Sequence, residues 1–365
     1  MKISEIGEIL LLEQIRKMFS EKSGRVLIGI GDDAAAVRPV SETLLATTDM
    51  MVEKVHFDLR FITPYQLGFK LLSVNVSDIY AMGGTPFSCL LNLAVNRNIP
   101  QEFLDMFFEG IRDACTLYRV TVIGGDLSAS VRDMCLSATV LGHAKKCIRR
   151  SGARAGDRIY VTGDLGDSAC GLELLKRANT HVPLSLKRVN VRDHRVLPMK
   201  LSGKGKGGGL RAALQDAKAA FLRLGCAWKD VQPLVTRHLL PEARTPEPIA
   251  GKATALIDVS DGLLIDLTRI CHESRTGARI YRDRIPLSQE LRTVSARLGM
   301  SPEKLALSGG EDYELLFTVP KGTRVKAHYI GDVVQSGMVM VDREGREKPF
   351  ISEGYQHFRK KKTRA

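Results

Sequence analysis

The residues best placed to do chemistry are aspartates set beside glycines, repeated along the chain. Ile28-Gly29-Ile30-Gly31-Asp32-Asp33, running on into Ala34-Ala35-Ala36-Val37, is the first case. Thr47-Thr48-Asp49 ends a second apolar run, Asn75-Val76-Ser77-Asp78-Ile79 precedes Gly83-Gly84, and Ile123-Gly124-Gly125-Asp126 follows. Ile257-Asp258-Val259-Ser260-Asp261-Gly262 repeats the pattern in the second half. A carboxylate at a strand end stands on a rim where side chains of several strands converge. Glycine beside it lets the backbone approach a bulky ligand and offer N–H groups to phosphate oxygens. Aspartates without His or Cys form a hard, all-oxygen donor set that suits Mg2+ better than zinc, with waters and substrate phosphates as further partners. Asp and Gly after a strand are also ordinary turn formers and helix caps, and a single motif reads that way. Five such motifs point to magnesium and nucleotide.

Two other phosphate-binding patterns are missing. There is no G-x-x-x-x-G-K-[ST], since the Lys204 to Gly209 stretch lacks both its spacing and a preceding strand. Gly29 and Gly31 run into Asp32-Asp33 instead of opening a helix. Nucleotide would therefore be held through metal bridges.

The elements that must position these motifs follow from hydrophobic spacing. Strands are predicted over 25–30 and 44–48, and a helix over 64–80 with Thr63 as cap and Pro64 at its first position. A strand over 87–95, an amphipathic helix over 101–117 and strands over 120–123 and 134–142 complete the first half. A second segment opens with a strand over 158–162 and a helix over 168–176. It continues with a strand over 255–257, a helix over 262–271, and strands over 278–281 and 315–319. The class is α/β (α+β). Domains are predicted over 1–150 and 151–358, with a basic Gly/Lys-rich insertion at about 181–230 in the second and a basic tail over 359–365. Within the insertion, 202–209 reads as a flexible loop and 210–224 as a helix.

The 365 residues, 44% hydrophobic and 26% charged, suffice for two ordinary globular domains. Met1 to Glu13 has no long apolar core behind a basic end, and no later run approaches membrane-spanning length, so cytoplasm is the expected location. The seven cysteines are scattered without a C-x-x-C pair and read as free thiols. Net charge is +13, with much of the excess between Lys176 and Lys229 and in the tail Arg359 to Arg364. Charge runs of this kind are usually solvated surface. A basic nucleic-acid-binding protein is the alternative class, but no helix-turn-helix, zinc or RNA-recognition signature accompanies the charge.

Taken in order, the motifs resemble the thiamine-monophosphate kinase family. The matching residues are Gly29 to Val37, Thr47-Thr48-Asp49 with His56-Phe57, Asn75 to Gly84, Gly124-Gly125-Asp126 and Arg150-Ser151-Gly152-Ala153. Asp258 to Gly262, Ser308 to Leu315 and Gly354 to Phe358 continue the match, which spans nearly the whole chain apart from the insertion. The resemblance implies a two-domain fold like that of aminoimidazole ribonucleotide synthetase, with the N-terminal sheet pairing into a barrel across a homodimer and ATP bound near that interface. It implies the reaction of thiamine monophosphate with ATP to give thiamine diphosphate and ADP, with Mg2+ as cofactor.

Carried over by position, the resemblance gives a metal-binding set of Asp33, Thr47, Thr48, Asp49, Asp78, Asp126, Asp258 and Asp261, with Thr47 or Thr48 able to offer a backbone oxygen. It implies ATP contacts at Gly125, Asp126, Arg150 and Ser260, and thiamine-phosphate contacts at His56, Glu311 and Tyr355. No general base is assigned. Phe108 stands where the family commonly has a tyrosine near the nucleotide; it keeps a ring and loses a hydroxyl. The alternative within the same superfamily is another ATP-dependent enzyme, such as selenophosphate synthetase, which relies on an early cysteine or selenocysteine, whereas no cysteine here precedes Cys89. Hydrogenase-maturation proteins end in a cysteine-bearing tail, whereas this chain ends Lys-Thr-Arg-Ala.

Overall fold

In a computed structural model of the chain, which describes residues 5, 8–19, 24–30, 34–186, 196–198, 208–350 and 354–355, helix α1 (Glu8–Met18) precedes an antiparallel pair, β1 (Val26–Ile28) and β2 (Ala36–Val37). Asp33, residues 202–207 and the tail 359–365 lie outside the described residues. Strand β3 (Thr43–Val52) leads to helix α2 (Pro64–Ala81), strand β4 (Thr85–Asn96), helix α3 (Gln101–Tyr118), β5 (Thr121–Ser130) and β6 (Cys135–Ala144).

Local chemistry sets the start of α2. The Thr63 hydroxyl accepts the Gln66 N–H at 3.3 Å, and the Gln66 side chain accepts the Thr63 N–H at 2.9 Å, a reciprocal cap with Pro64 at the first helical position. Helices α2 and α3 touch backbone to backbone. A Cβ on Gly68 would lie 2.1 Å from the Phe107 carbonyl oxygen, and one on Gly110 would lie 1.9 Å from that of Tyr65.

The sheet runs β3-β6-β4-β5, with β4 and β5 parallel and the other pairs antiparallel. Burial alternates along β6: Leu136, Ala138 and Val140 are buried, while Cys135, Ser137 and Thr139 are partly exposed. Among the described residues this sheet is open, and a single chain does not close it into a barrel.

From residue 148 onward come β7 (Arg158–Val161), α4 (Asp167–Ala178), β8 (Leu184–Leu186), β9 (Val196–Pro198), α5 (Gly208–Arg223), α6 (Trp228–Leu239) and β10 (Ala255–Asp258). Helix α7 (Leu263–Ser274), β11 (Gly277–Tyr281), α8 (Gln289–Leu298), α9 (Pro302–Ser308), β12 (Leu315–Val319), β13 (His328–Val334), β14 (Met338–Val341) and β15 (Glu347–Pro349) follow. Their sheet has the order β10-β12-β7-β13-β11-β14-β15. Its core includes Ile159, Val161, Ile257, Leu267, Ile280 and Leu316.

The chain divides into two compact units: 1–147 with 174–228 and 239–243, and 148–173 with 229–238 and 244–365. The described parts of the insertion therefore belong largely to the first unit, whereas the sequence reading placed it in the second. A long-range bond explains the difference: buried Gln66 Nε2 on α2 donates to the carbonyls of Val182 at 2.6 Å and Leu184 at 3.1 Å. No apolar periodicity announces such a contact.

Candidate active site

In the first unit, the 47–49 and 75–78 motifs meet. Thr47 Oγ1 donates to Asp78 Oδ2 at 2.6 Å, and the Asp49 N–H donates to Asn75 Oδ1 at 2.8 Å. Period two puts Thr47 and Asp49 on the same face of β3, and helical spacing puts Asn75 and Asp78 on one side of α2. Asn75 is itself fixed, its amide donating to the Leu71 carbonyl at 2.8 Å. The corner presents hydroxyl and carboxylate oxygens, donors that fit a hard cation.

Thr48 faces the other way. Its hydroxyl lies 3.2 Å from the hydroxyls of both Ser137 and Thr139, on the face of the sheet away from α2, so only its backbone can serve the Thr47 side. Asp126 is on that same far face. Its parallel partner is Asn92, which stands opposite Ser137, the residue bonded to Thr48. Asp126 also lies on the opposite edge strand from Asp49, about 14 Å away across three strand spacings. Within one chain, Asp126 does not join Asp49 and Asp78.

Neither Asp49 nor Asp126 ends a strand, as the sequence reading expected. β3 continues to Val52, and β5 runs through Gly124-Gly125-Asp126 to Ser130 along the long strand β4. Gly125 makes that possible: its φ is +150°, and a Cβ there would sit 1.8 Å from the Leu91 carbonyl oxygen.

His56 lies in the turn after β3, where Nδ1 accepts the Val52 N–H at 2.9 Å, which leaves the ring hydrogen on Nε2. Phe108 is 3% exposed and packs edge-on against Phe19 and Phe107, with centroids 5.9 and 5.4 Å away. The ring that sequence placed beside nucleotide is thus a core ring, since its position on α3 faces inward.

In the second unit, the 258–262 and 308–314 motifs lie side by side. The Glu311 N–H donates to the Ser260 carbonyl at 2.7 Å, the Tyr313 N–H to that of Val259 at 2.9 Å, and the Tyr355 N–H to that of Asp261 at 3.1 Å. A Cβ on Gly310 would sit 2.4 Å from the Ser260 carbonyl oxygen, so only glycine permits this approach. Asp258 is buried at the end of β10, Tyr355 is exposed, and Glu311 and Tyr313 both hold positive φ, 64° and 51°. Arg150 is elsewhere. Its carbonyl accepts from Ser274 at the C-terminal end of α7, and the Arg149 carbonyl accepts from Leu256 near the start of β10. Asp261 precedes the other end of that helix, about 18 Å away for its 12 residues.

Several polar residues that sequence reasoning passed over build this site from beneath. Asp266, fully buried, accepts the N–H groups of Asp261 and Gly262, both at 3.1 Å, and Arg269 bridges Asp266 Oδ1 at 2.5 Å and Asp261 Oδ2 at 2.6 Å. Burial pushes the Asp266 carboxyl up to about 6 against the pull of Arg269. Asp312 accepts from the Gly166 and Ser168 N–H groups at 2.6 and 3.1 Å at the start of α4, and its burial pushes it up to about 7. Burial also acts on Glu314, but the guanidinium groups of Arg237 and Arg244 outweigh it and hold that carboxyl below its ordinary range. The only sequence signals were the Asp266/Arg269 spacing and the density of acids in Glu311-Asp312-Tyr313-Glu314. Among the described residues, no three His, Cys, Asp or Glu side chains gather as one metal cluster. The cysteines are free thiols, as expected, and among the described residues no helix is long and apolar enough to cross a membrane.

Comparison with known proteins gives this geometry a context. Residues 31–144 match the N-terminal domain of AIR synthase related proteins, and 207–342 match their C-terminal domain. The thiamine-monophosphate kinase of Aquifex aeolicus is 33% identical over 363 residues, covering 98% of this chain and all of the relative. That of Escherichia coli K12 is 33% identical over 350 residues, covering 91% of this chain and 92% of the relative. A solved structure described as AaThiL complexed with AMPPCP and TMP superposes with a TM-score of 0.69 at 32% identity, covering 98% of this chain and 99% of the other.

Proposed function

Because the chain belongs to the thiamine-monophosphate kinase family and is a phosphotransferase, we propose that it transfers the γ-phosphoryl group of ATP to thiamine monophosphate, giving thiamine diphosphate and ADP. The observation that carries this reading is the end-to-end similarity to a relative solved with AMPPCP, a methylene analogue standing in for ATP, and TMP. The acceptor is a phosphate oxygen already ionised near neutral pH. A general base is therefore not needed, and positioning with charge neutralisation carries the rate.

Mg2+, when bound, would supply neutralisation of the phosphate charge. In the first unit Asp49 and Asp78, with Asp33, Thr47 and Thr48, and separately Asp126 on the other sheet face, would hold metal; in the second unit Asp258 and Asp261 would do so. Thr47 orients the Asp78 carboxylate, and Asn75 fixes the backbone at Asp49. Gly125, Asp126, Arg150 and Ser260 are assigned to ATP. His56, Glu311 and Tyr355 are assigned to thiamine monophosphate, where the Glu311 carboxylate complements the cationic thiazolium ring and the Tyr355 ring offers a stacking face. Phe108 supports α3 from within the core.

We further propose a cytoplasmic homodimer whose N-terminal sheets pair into a barrel. Two features support it: the sheet face away from α2 carries Asp126, and on the same strand side Leu44 and Met50 are each 56% exposed. The deciding experiment follows ADP and thiamine diphosphate formation from ATP, Mg2+ and thiamine monophosphate, with free thiamine as control. Product from the monophosphate alone is expected. ATP binding without turnover on it would overturn the reading.

A further inference from the structure

We infer that His238, on the last turn of α6, is a positioning residue that sets the Glu311 carboxylate for the substrate; this rests on the assignment of Glu311 to thiamine monophosphate. His238 is 7% exposed, and its Nδ1 lies 3.2 Å from Glu311 Oε2 and 3.2 Å from Ser168 Oγ. The two lie at ion-pair distance, and because an ionised carboxylate only accepts hydrogen bonds, we place the Nδ1 hydrogen on the side of Glu311. That leaves the Ser168 hydroxyl as a second acceptor against the same N–H.

The geometry around this bond explains why the peptide needs it. Glu311 and Tyr313 occupy left-handed backbone conformations that a non-glycine residue holds only when its surroundings over-determine them. On one side of this segment the Ser260 and Val259 carbonyls accept the Glu311 and Tyr313 N–H groups. On the other, consecutive α6 residues grip alternate acids: Arg237 pairs with Glu314 and His238 with Glu311. Asp312, between them, caps the start of α4, where Ser168 also sits. Glu314 is fully buried and Asp312 likewise, so both hold the fold. The Glu311 side chain keeps 29% exposure and is the acid in the motif that can both be held from within and meet a ligand.

The test is a double-mutant cycle on the full chain, with folding checked by thermal denaturation. Asparagine places an amide near the position of Nδ1, and leucine removes the donor. His238→Leu is expected to raise KM for thiamine monophosphate about tenfold, the worth of one hydrogen bond to a charged group, with KM for ATP unchanged. His238→Asn should restore most of that loss. Glu311→Gln should raise the same KM, and adding His238→Leu to it should cost little more, because coupled residues are not additive. If Glu311→Gln leaves that KM unchanged, the Glu311 assignment fails. If Glu311→Gln raises it while His238→Leu does not, or if the two effects add fully, the positioning role is overturned and the assignment stands. Should His238→Leu fail to fold, Ser168→Ala carries the test: a KM rise of about threefold for thiamine monophosphate alone is expected from loosening the ring, and no change overturns the inference.

Discussion

Thr47 and Asp78, 31 residues apart in sequence, are joined by a 2.6 Å hydrogen bond from the threonine hydroxyl to the carboxylate. It ties β3 to α2 and turns the Asp78 oxygens toward the face that carries Asp49. Thr47→Val keeps the shape and removes the donor. A charge-assisted bond of this kind is worth about 1.5–3 kcal/mol, so the apparent affinity for Mg2+ and ATP should fall about tenfold or more. Thr47→Ser should stay near wild type. Magnesium titrations of the initial rate check both, and equal effects of Val and Ser would show that the hydroxyl does not matter.

The opposite facing of Asp126 leads to a second expectation. Asp126→Asn and Asp78→Asn should each abolish most turnover while the protein stays folded, because each removes a charge from a site and little core volume. If two copies complete each other's sites, mixed dimers of the two variants should regain about a quarter of wild-type activity by random pairing. Activity measured after co-refolding is the readout. A mixture as inactive as its parts would place each site within one chain.

Gly110→Ala should be disruptive although it changes a helix residue to a better helix former. Its Cβ would lie 1.9 Å from the Tyr65 carbonyl oxygen, and backbone cannot yield as a side chain can. Overpacking of this kind costs about 2–3 kcal/mol, visible as a drop in Tm. An unchanged Tm would mean that α2 and α3 are further apart than described.

Asp312 gives a pH dependence with a definite sign. Burial raises its folded-state pKa to about 7 from an ordinary 3.8, so between those values the folded protein binds the extra proton. That contribution to stability is complete below about pH 4 and is lost as pH rises through 7. Asp312→Asn removes the titration and should flatten the fall in stability across this window, at the cost of one backbone hydrogen bond. Denaturant midpoints measured from pH 4 to 8 test it, and parallel curves for the two proteins would refute it. Glu314 pulls the other way, since its depressed pKa makes its contribution fade only as pH falls through the acid range.

The periodic elements and the kinase family were legible in the sequence. Helices α2 and α3 and the strands around them follow from apolar spacing and from the Thr63-Pro64 start, which are local signals. The Gly/Asp motifs were legible as oxygen-rich segments, because residue type and neighbouring glycine are readable without a fold. Which motifs meet depended on long-range contacts. Thr47 joins Asp78 through a side-chain bond between distant segments. Asp126 and Thr48 turn away because β3 and β5 continue past their motifs and alternate faces. Gln66 reaches the carbonyls of 182 and 184, which moved the insertion to the first unit. His238 and Asp312 stayed without a role because their partners lie far away in the chain, and a long-range polar contact leaves no period in the sequence. Asp266 has local partners in Asp261, Gly262 and Arg269, but an Asp/Arg spacing of three is common on any helix surface.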